Sequence, residues 1–206
     1  MVAIQLAGRG IVDERVLAAV RVVPREAFVP AELRGAAHED EALAIEAGQT
    51  ISQPYIVGRM TELLAVKAGD RVLDIGTGSG YQAAVLAEIG CTVVSIERHP
   101  TLAASARQRL AELGYTDRIE VRVGDGTLGD AAGGPWPRIL VAAAAPHVPE
   151  SLRDQLSPDS GRLVIPIGDR DRQELTLVIR NGDRCVETRH GPVRFVPLIG
   201  VGGFPD

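Results

Sequence analysis

Hydrophobic and polar positions along this 206-residue chain follow two patterns that meet near residue 66. In the first, Val16, Leu17 and Val20 share one helical face, Asp13 stands where a cap belongs, and Pro24 ends the helix. Prolines bracket the segment Val23-Pro-Arg-Glu-Ala-Phe-Val-Pro30, with Phe28 as its core anchor. Residues 32–48 are polar and show no period. Pro54 then suits the first turn of a second helix reaching about residue 66, with Ile56, Met60, Leu63 and Leu64 facing inward. Ser52 or Gln53 can cap that helix, and on residue physics alone Ser52 reads first as such a cap.

The second pattern alternates short apolar runs with amphipathic stretches. Strand-like runs at 71–75, 91–97, 118–123, 138–143 and 162–167 alternate with helical stretches at 81–88, near 100–113 and from Pro149 to about Leu156. In the second of these, Leu102, Ala106 and Leu110 share a face and Gly114 caps the end. Residues 174–180 and 184–188 read as a hairpin about Asn181-Gly182-Asp183. An extended tail at 193–198 leads to a glycine-rich end, 200–203, expected to be mobile. The alternation predicts an α/β, Rossmann-like fold: a mostly parallel, doubly wound sheet with a C-terminal antiparallel hairpin and an N-terminal helical extension. One domain is expected over 1–206, with 1–66 covering a core at 67–206.

Composition narrows the classes. Charged residues at 24%, apolar residues at 45% and a net charge of −5 describe a soluble globular chain. Aromatics are 3% and the basic residues are scattered, which disfavours nucleic-acid binding. No stretch approaches a membrane span, so a cytoplasmic protein is expected. Cys91 and Cys185 are isolated and read as free buried thiols. The four histidines do not cluster, and no metal is expected.

Candidate chemistry gathers at Arg71-Val-Leu-Asp-Ile-Gly-Thr-Gly-Ser-Gly-Tyr81. Gly76, Gly78 and Gly80 let the backbone turn sharply against a ligand, at the positive end of the following helix. The spacing differs from the dinucleotide pattern G-x-G-x-x-G. Asp74, two residues ahead, would repel a pyrophosphate and suit a cationic amine. Glu97 ends the next strand about 20 residues on, where an acid reaches a ribose diol. Asp125, between Gly124 and Gly126, joins them on the carboxyl rim, although a plain turn Asp fits that position equally well. Asp74 with the glycine triplet resembles motif I of the class I S-adenosylmethionine methyltransferases.

The chain as a whole resembles the protein-L-isoaspartate O-methyltransferase family. Carrying that resemblance are Val23 to Pro30, Gly48-Gln-Thr-Ile-Ser-Gln-Pro54, the glycine motif, Gly124-Asp-Gly126, Ala144-Ala-Pro-His-Val-Pro149 and Phe195-Val-Pro-Leu198. It implies a class I methyltransferase fold and S-adenosyl-L-methionine as cofactor. Asp74 and the glycine turn would hold the methionine portion, Glu97 the ribose, and Asp125 with Gly126 the adenine side. Ser52 would lie beside the transferred methyl and the substrate carboxylate, within a substrate-binding stretch of Thr50, Ile51 and Ser52. Val196 and Pro197 would pair with substrate backbone. Partners would be isoaspartyl-containing proteins and peptides, methylated on the α-carboxylate as the first step of repair through a succinimide, with no nucleic acid and no membrane; a monomer is expected.

Four positions depart from the family pattern: Glu46 stands where glycine is common, His38 where tyrosine is, Pro137 where aspartate is, and Ala142 where threonine is. Two other readings stay open at this point. One is a paralogous methyltransferase acting on aspartate of a dedicated peptide. The other is a dinucleotide-dependent oxidoreductase, disfavoured by the glycine spacing and by Lys67 being the only lysine.

Overall fold

The computed structural model describes residues 1–205. At its centre lies a seven-stranded sheet: β3 (Arg71–Ile75), β4 (Thr92–Glu97), β5 (Ile119–Val123), β6 (Arg138–Val141), β7 (Gly161–Gly168), β8 (Gln173–Asn181) and β9 (Arg184–Val193). The spatial order is β5-β4-β3-β6-β7-β8-β9. β5 through β7 are parallel, and β8 and β9 complete the sheet as an antiparallel hairpin longer than its sequence pattern indicated. β3 and β6 carry apolar side chains on both faces, with Asp74 a buried exception, because both faces are covered. Val72, Leu140 and Val164 look into a layer shared with α1 (Glu14–Val22), α2 (Pro54–Leu64), α3 (Tyr81–Glu88) and α4 (Pro100–Glu112). Leu73, Ile75, Ile139 and Val141 look the other way, toward Trp136 and α5 (Glu150–Gln155). Strand order reverses between β3 and β6, so the carboxyl ends of β3 and β4 open a crevice at the switch point.

Local signals explain most helix ends. Asp13 Oδ1 accepts the Arg15 N–H at 3.0 Å and caps α1. At the end of α4, Gly114 takes a φ of +80° and bonds Ala111, while the Tyr115 N–H reaches the Leu110 carbonyl at 2.9 Å. That pair is a Schellman ending. Phe28 is fully buried and meets Tyr81 edge-on, with ring centroids 5.4 Å apart.

Four expectations need correction. Neither Ser52 nor Gln53 caps α2 through its side chain. Asp40 does so from a distant loop: its Oδ1 accepts the Tyr55 N–H at 3.3 Å and its carbonyl accepts Gln53 Nε2 at 2.6 Å. The patternless stretch after residue 32 contains β1 (Leu43–Ala44), paired antiparallel with β2 (Thr50–Ile51). The glycine-rich end is tied down, with Val201 N–H on Asp125 Oδ2 and Gly202 N–H on Thr127 Oγ1, both at 3.0 Å. Cys91 is buried, and burial pushes its thiol up to about 12, but Cys185 is half-exposed on the edge strand β9.

Between β1 and β2, Ala47 and Gly48 both adopt left-handed conformations, φ 56° and 67°. Glu46 is not among the positive-φ residues, so its departure from glycine carries no backbone strain. Ala47 does carry it. Ala47→Gly is expected to raise stability by about 0.5–1 kcal/mol, because left-handed geometry costs a Cβ-bearing residue more than glycine loses in unfolded entropy. A thermal melt checks this; an unchanged or lower Tm would show the loop does not hold that geometry.

Candidate active site

The glycine turn is built as its composition requires. Gly76, Gly78 and Gly80 have φ of +91°, +52° and +93°. Two neighbours pin it: Gly76 N–H donates to the Ile96 carbonyl at 2.8 Å and Gly78 N–H to Glu97 Oε2 at 2.9 Å. Glu97 Oε1 also accepts the His99 N–H at 2.9 Å, so one carboxylate joins the turn to the start of α4. A Cβ on Gly126 would drive into Ile75 Cγ2, so glycine there lets the chain lie close against β3.

Three connected depressions surround this turn. A cavity at the turn is walled by Gly76, Gly78, Glu97 and Gly126 on one side and by Val196, Pro197, Leu198 and Ile199 on the other. An inner cleft continues past Thr77 and Ser79 to Tyr81 and Gln82. An outer groove runs between Arg9, Asp40 and Tyr55 and the segment 192–196. Ser52 borders both the inner cleft and the outer groove, while Thr50 and Ala142 border all three. Ile51 borders the inner cleft alone and is otherwise core.

Three candidates stand outside the cavity wall. Asp74 is fully buried behind the turn; its Oδ2 accepts the Ser95 hydroxyl at 2.7 Å, and its Oδ1 has no partner among the described residues. Burial pushes its carboxyl up to about 7, with the Ser95 bond opposing and the Glu97 charge adding to the rise. Gly80 packs its Cα against Leu110 and opens α3. Asp125 is occupied by the chain itself: Oδ1 accepts the Thr127 N–H and hydroxyl at 2.8 and 2.7 Å, and Oδ2 the Val201 N–H. Desolvation works against its ionised form. The Thr127 hydroxyl, the Val201 and Thr127 amides and the Arg98 charge outweigh that and hold it below the usual range.

Val196 and Pro197 form a short parallel bridge to Ala144. The Ala144 N–H donates to the Val196 carbonyl at 2.9 Å and the Leu198 N–H to the Ala144 carbonyl at 2.7 Å. Just before them, the Gln173 side chain bonds both the N–H and the carbonyl of Phe195, at 2.6 and 3.1 Å. The segment is therefore bonded by Gln173 at Phe195 and by Ala144 at Val196 and Leu198, and the Val196 N–H has no acceptor among the described residues.

Sequence reasoning missed several wall residues. Gln49, Arg98 and His99 adjoin recognised motifs and were within reach. Arg9 was not: it stacks on Tyr55 at 3.6 Å and pairs with Asp40 at 2.5 Å, contacts between segments with no shared pattern. Among the described residues, no group of three or more His, Cys, Asp or Glu is placed to hold a metal ion, and no helix is long and apolar enough to cross a membrane.

The donor set suits a ligand with a cationic end and a diol. An unpartnered buried carboxylate oxygen lies behind the turn, where it would repel a pyrophosphate, and a second carboxylate faces the cavity. Comparisons with known proteins agree with that chemistry. The family profile described as protein-L-isoaspartate(D-aspartate) O-methyltransferase matches residues 1–202. A Methanoculleus marisnigri protein-L-isoaspartate O-methyltransferase is 53% identical over 204 residues, covering 99% of this chain and 92% of its own. The Rhodopseudomonas palustris protein of the same name is 52% identical, covering 99% and 94%. Among solved structures, a protein-L-isoaspartate O-methyltransferase aligns with a TM-score of 0.87 at 28% identity, covering 98% of this chain and 67% of the other. A Plasmodium falciparum structure so described, in complex with S-adenosyl-L-homocysteine, aligns at 0.80 and 26% identity, covering 96% of each.

Proposed function

This chain belongs to the protein-L-isoaspartate(D-aspartate) O-methyltransferase family, and on that premise we propose that it methylates the α-carboxylate of L-isoaspartyl residues at the junction beside Ser52. The observation carrying this assignment of the site is the meeting of cleft and groove there. S-adenosyl-L-methionine, when bound, supplies an electrophilic methyl group on a sulfonium. Glu97 would accept from the ribose hydroxyls, Gly76, Gly78 and Gly126 would let the backbone close on the ligand, and Asp74 would balance its ammonium from behind the turn.

The acceptor needs no strong base. An α-carboxylate, with a pKa near ~3.5, is ionised at neutral pH. Ser52 would orient it by donating a hydrogen bond, while Val196 offers its free N–H to the substrate main chain. Rate then comes from alignment of two held reactants. Asp125 would act by anchoring Val201, two residues past the Ile199 wall, on what would be the adenine side. We further infer a cytoplasmic monomer; the free thiols suit a reducing compartment.

Methyl transfer from radiolabelled S-adenosylmethionine to paired peptides tests the reading. Base-labile label is expected on the isoaspartyl peptide and not on its aspartyl twin. Equal labelling of the two, or label on the aspartyl peptide alone, would point to a paralogue with a different substrate.

A further inference from the structure

Asp74 on β3 and Ser95 on β4 are register partners, and both are fully buried. The Ser95 hydroxyl donates to Asp74 Oδ2 at 2.7 Å. On its other side it lies 2.6 Å from the Thr77 hydroxyl, inside the glycine turn. With Asp74 ionised, the direction of this chain is fixed: Thr77 donates to Ser95, and Ser95 donates to the carboxylate. A hydroxyl set behind the inner cleft thus contacts both the buried carboxylate and the Thr77 side chain of the turn. From β6 the partner of Asp74 is the apolar Leu140, and the charge acting on it is Glu97, at the end of β4.

We propose that Ser95 is a positioning residue for cofactor binding: its hydroxyl donates to Asp74, favouring the anion, and on its other side holds Thr77 and the turn in the binding geometry. The inference rests on the S-adenosylmethionine reading of the pocket. It reaches a residue that lines none of the three depressions and belongs to no recognised motif.

The sign of the pH effect follows from the buried carboxyl, which lies at about 7 in the free protein. Below that value Asp74 is protonated, and binding an ammonium-bearing ligand must expel the proton. Affinity therefore falls about tenfold for each pH unit on the acid side. Removing the Ser95 donor takes a hydrogen bond from the anion and moves that fall to higher pH, by about one unit or more.

Calorimetric titration of the whole protein with S-adenosylhomocysteine between about pH 6 and pH 9 reads this directly. Ser95→Ala is expected to weaken binding about tenfold near neutrality and shift the acid limb upward. Thr77→Val releases the turn alone, so it should weaken binding with the limb in place. Ser95→Cys, a poorer donor, should fall between wild type and Ser95→Ala, and it carries the test if the alanine variant does not fold. Wild-type affinity with an unmoved limb in the Ser95 variants would overturn the proposal, as would an equal limb shift in Thr77→Val. Absence of binding by the wild type at every pH would instead sink the cofactor reading on which it stands.

Discussion

Glu97→Ala is expected to weaken S-adenosylhomocysteine binding by about a hundredfold or more while leaving the protein folded. The carboxylate is 5% exposed and works in two directions. Toward the protein it accepts from the Gly78 and His99 amides, both at 2.9 Å, and so fixes the turn relative to α4. Toward the cavity it lines the wall where we propose the ribose diol would sit. Each hydrogen bond to a charged group is worth about 1.5–3 kcal/mol, and losing the ligand bond together with the order of the turn gives about 3 kcal/mol or more. Glu97→Gln keeps one acceptor oxygen and should lie between the two. Calorimetry measures the effect, and a change below about threefold, or ~0.7 kcal/mol, would remove Glu97 from the ribose site.

Ser52→Ala is expected to lower kcat/KM for an isoaspartyl peptide by about tenfold to a hundredfold, the loss of one hydrogen bond to a carboxylate. S-adenosylhomocysteine affinity should stay within about twofold (~0.4 kcal/mol). The stability readout separates this role from the plainer one. A serine capping α2 would cost about 1 kcal/mol on truncation. Asp40 holds the Tyr55 N–H instead, so Tm should hardly move. A lowered Tm with unchanged kcat/KM would return Ser52 to a structural role.

What could be read without coordinates was what neighbouring residues decide together. The β3–turn–α3 unit came through nearly to the residue, because an apolar run, alternating glycines and a helical period all lie within Arg71 to Glu88. Asp13 and Gly114 were legible for the same reason. The β1–β2 pair was not: two residues per strand give no period, and its turn depends on Ala47 in a conformation alanine rarely shows. Asp40 replaced Ser52 as cap because tertiary packing brought a better acceptor to the helix end. Asp125 stood on the predicted rim, yet its oxygens point to amides far along the chain, and a tail expected to be mobile became its partner. Ser95 carried no signal at all, since its significance lies in the strand beside it.

Gln173 gives the substrate face a consequence of its own. Its side-chain amide presents one donor and one acceptor to Phe195, as a neighbouring peptide unit would, and so stands in for a missing strand. The chain at 195–197 can then leave the sheet, bonded by Gln173 and Ala144, with the Val196 N–H left to meet another backbone. A contact of that kind would read main chain and be nearly blind to side chains. On the proposed reading, any damaged protein would become a client provided the segment around its lesion can peel away from its own fold. The speed of repair would then be written into the client: each ~1.4 kcal/mol of local stability around a lesion lowers the detached population tenfold. Damage that loosens its surroundings would advertise itself, and damage locked in a rigid element would wait.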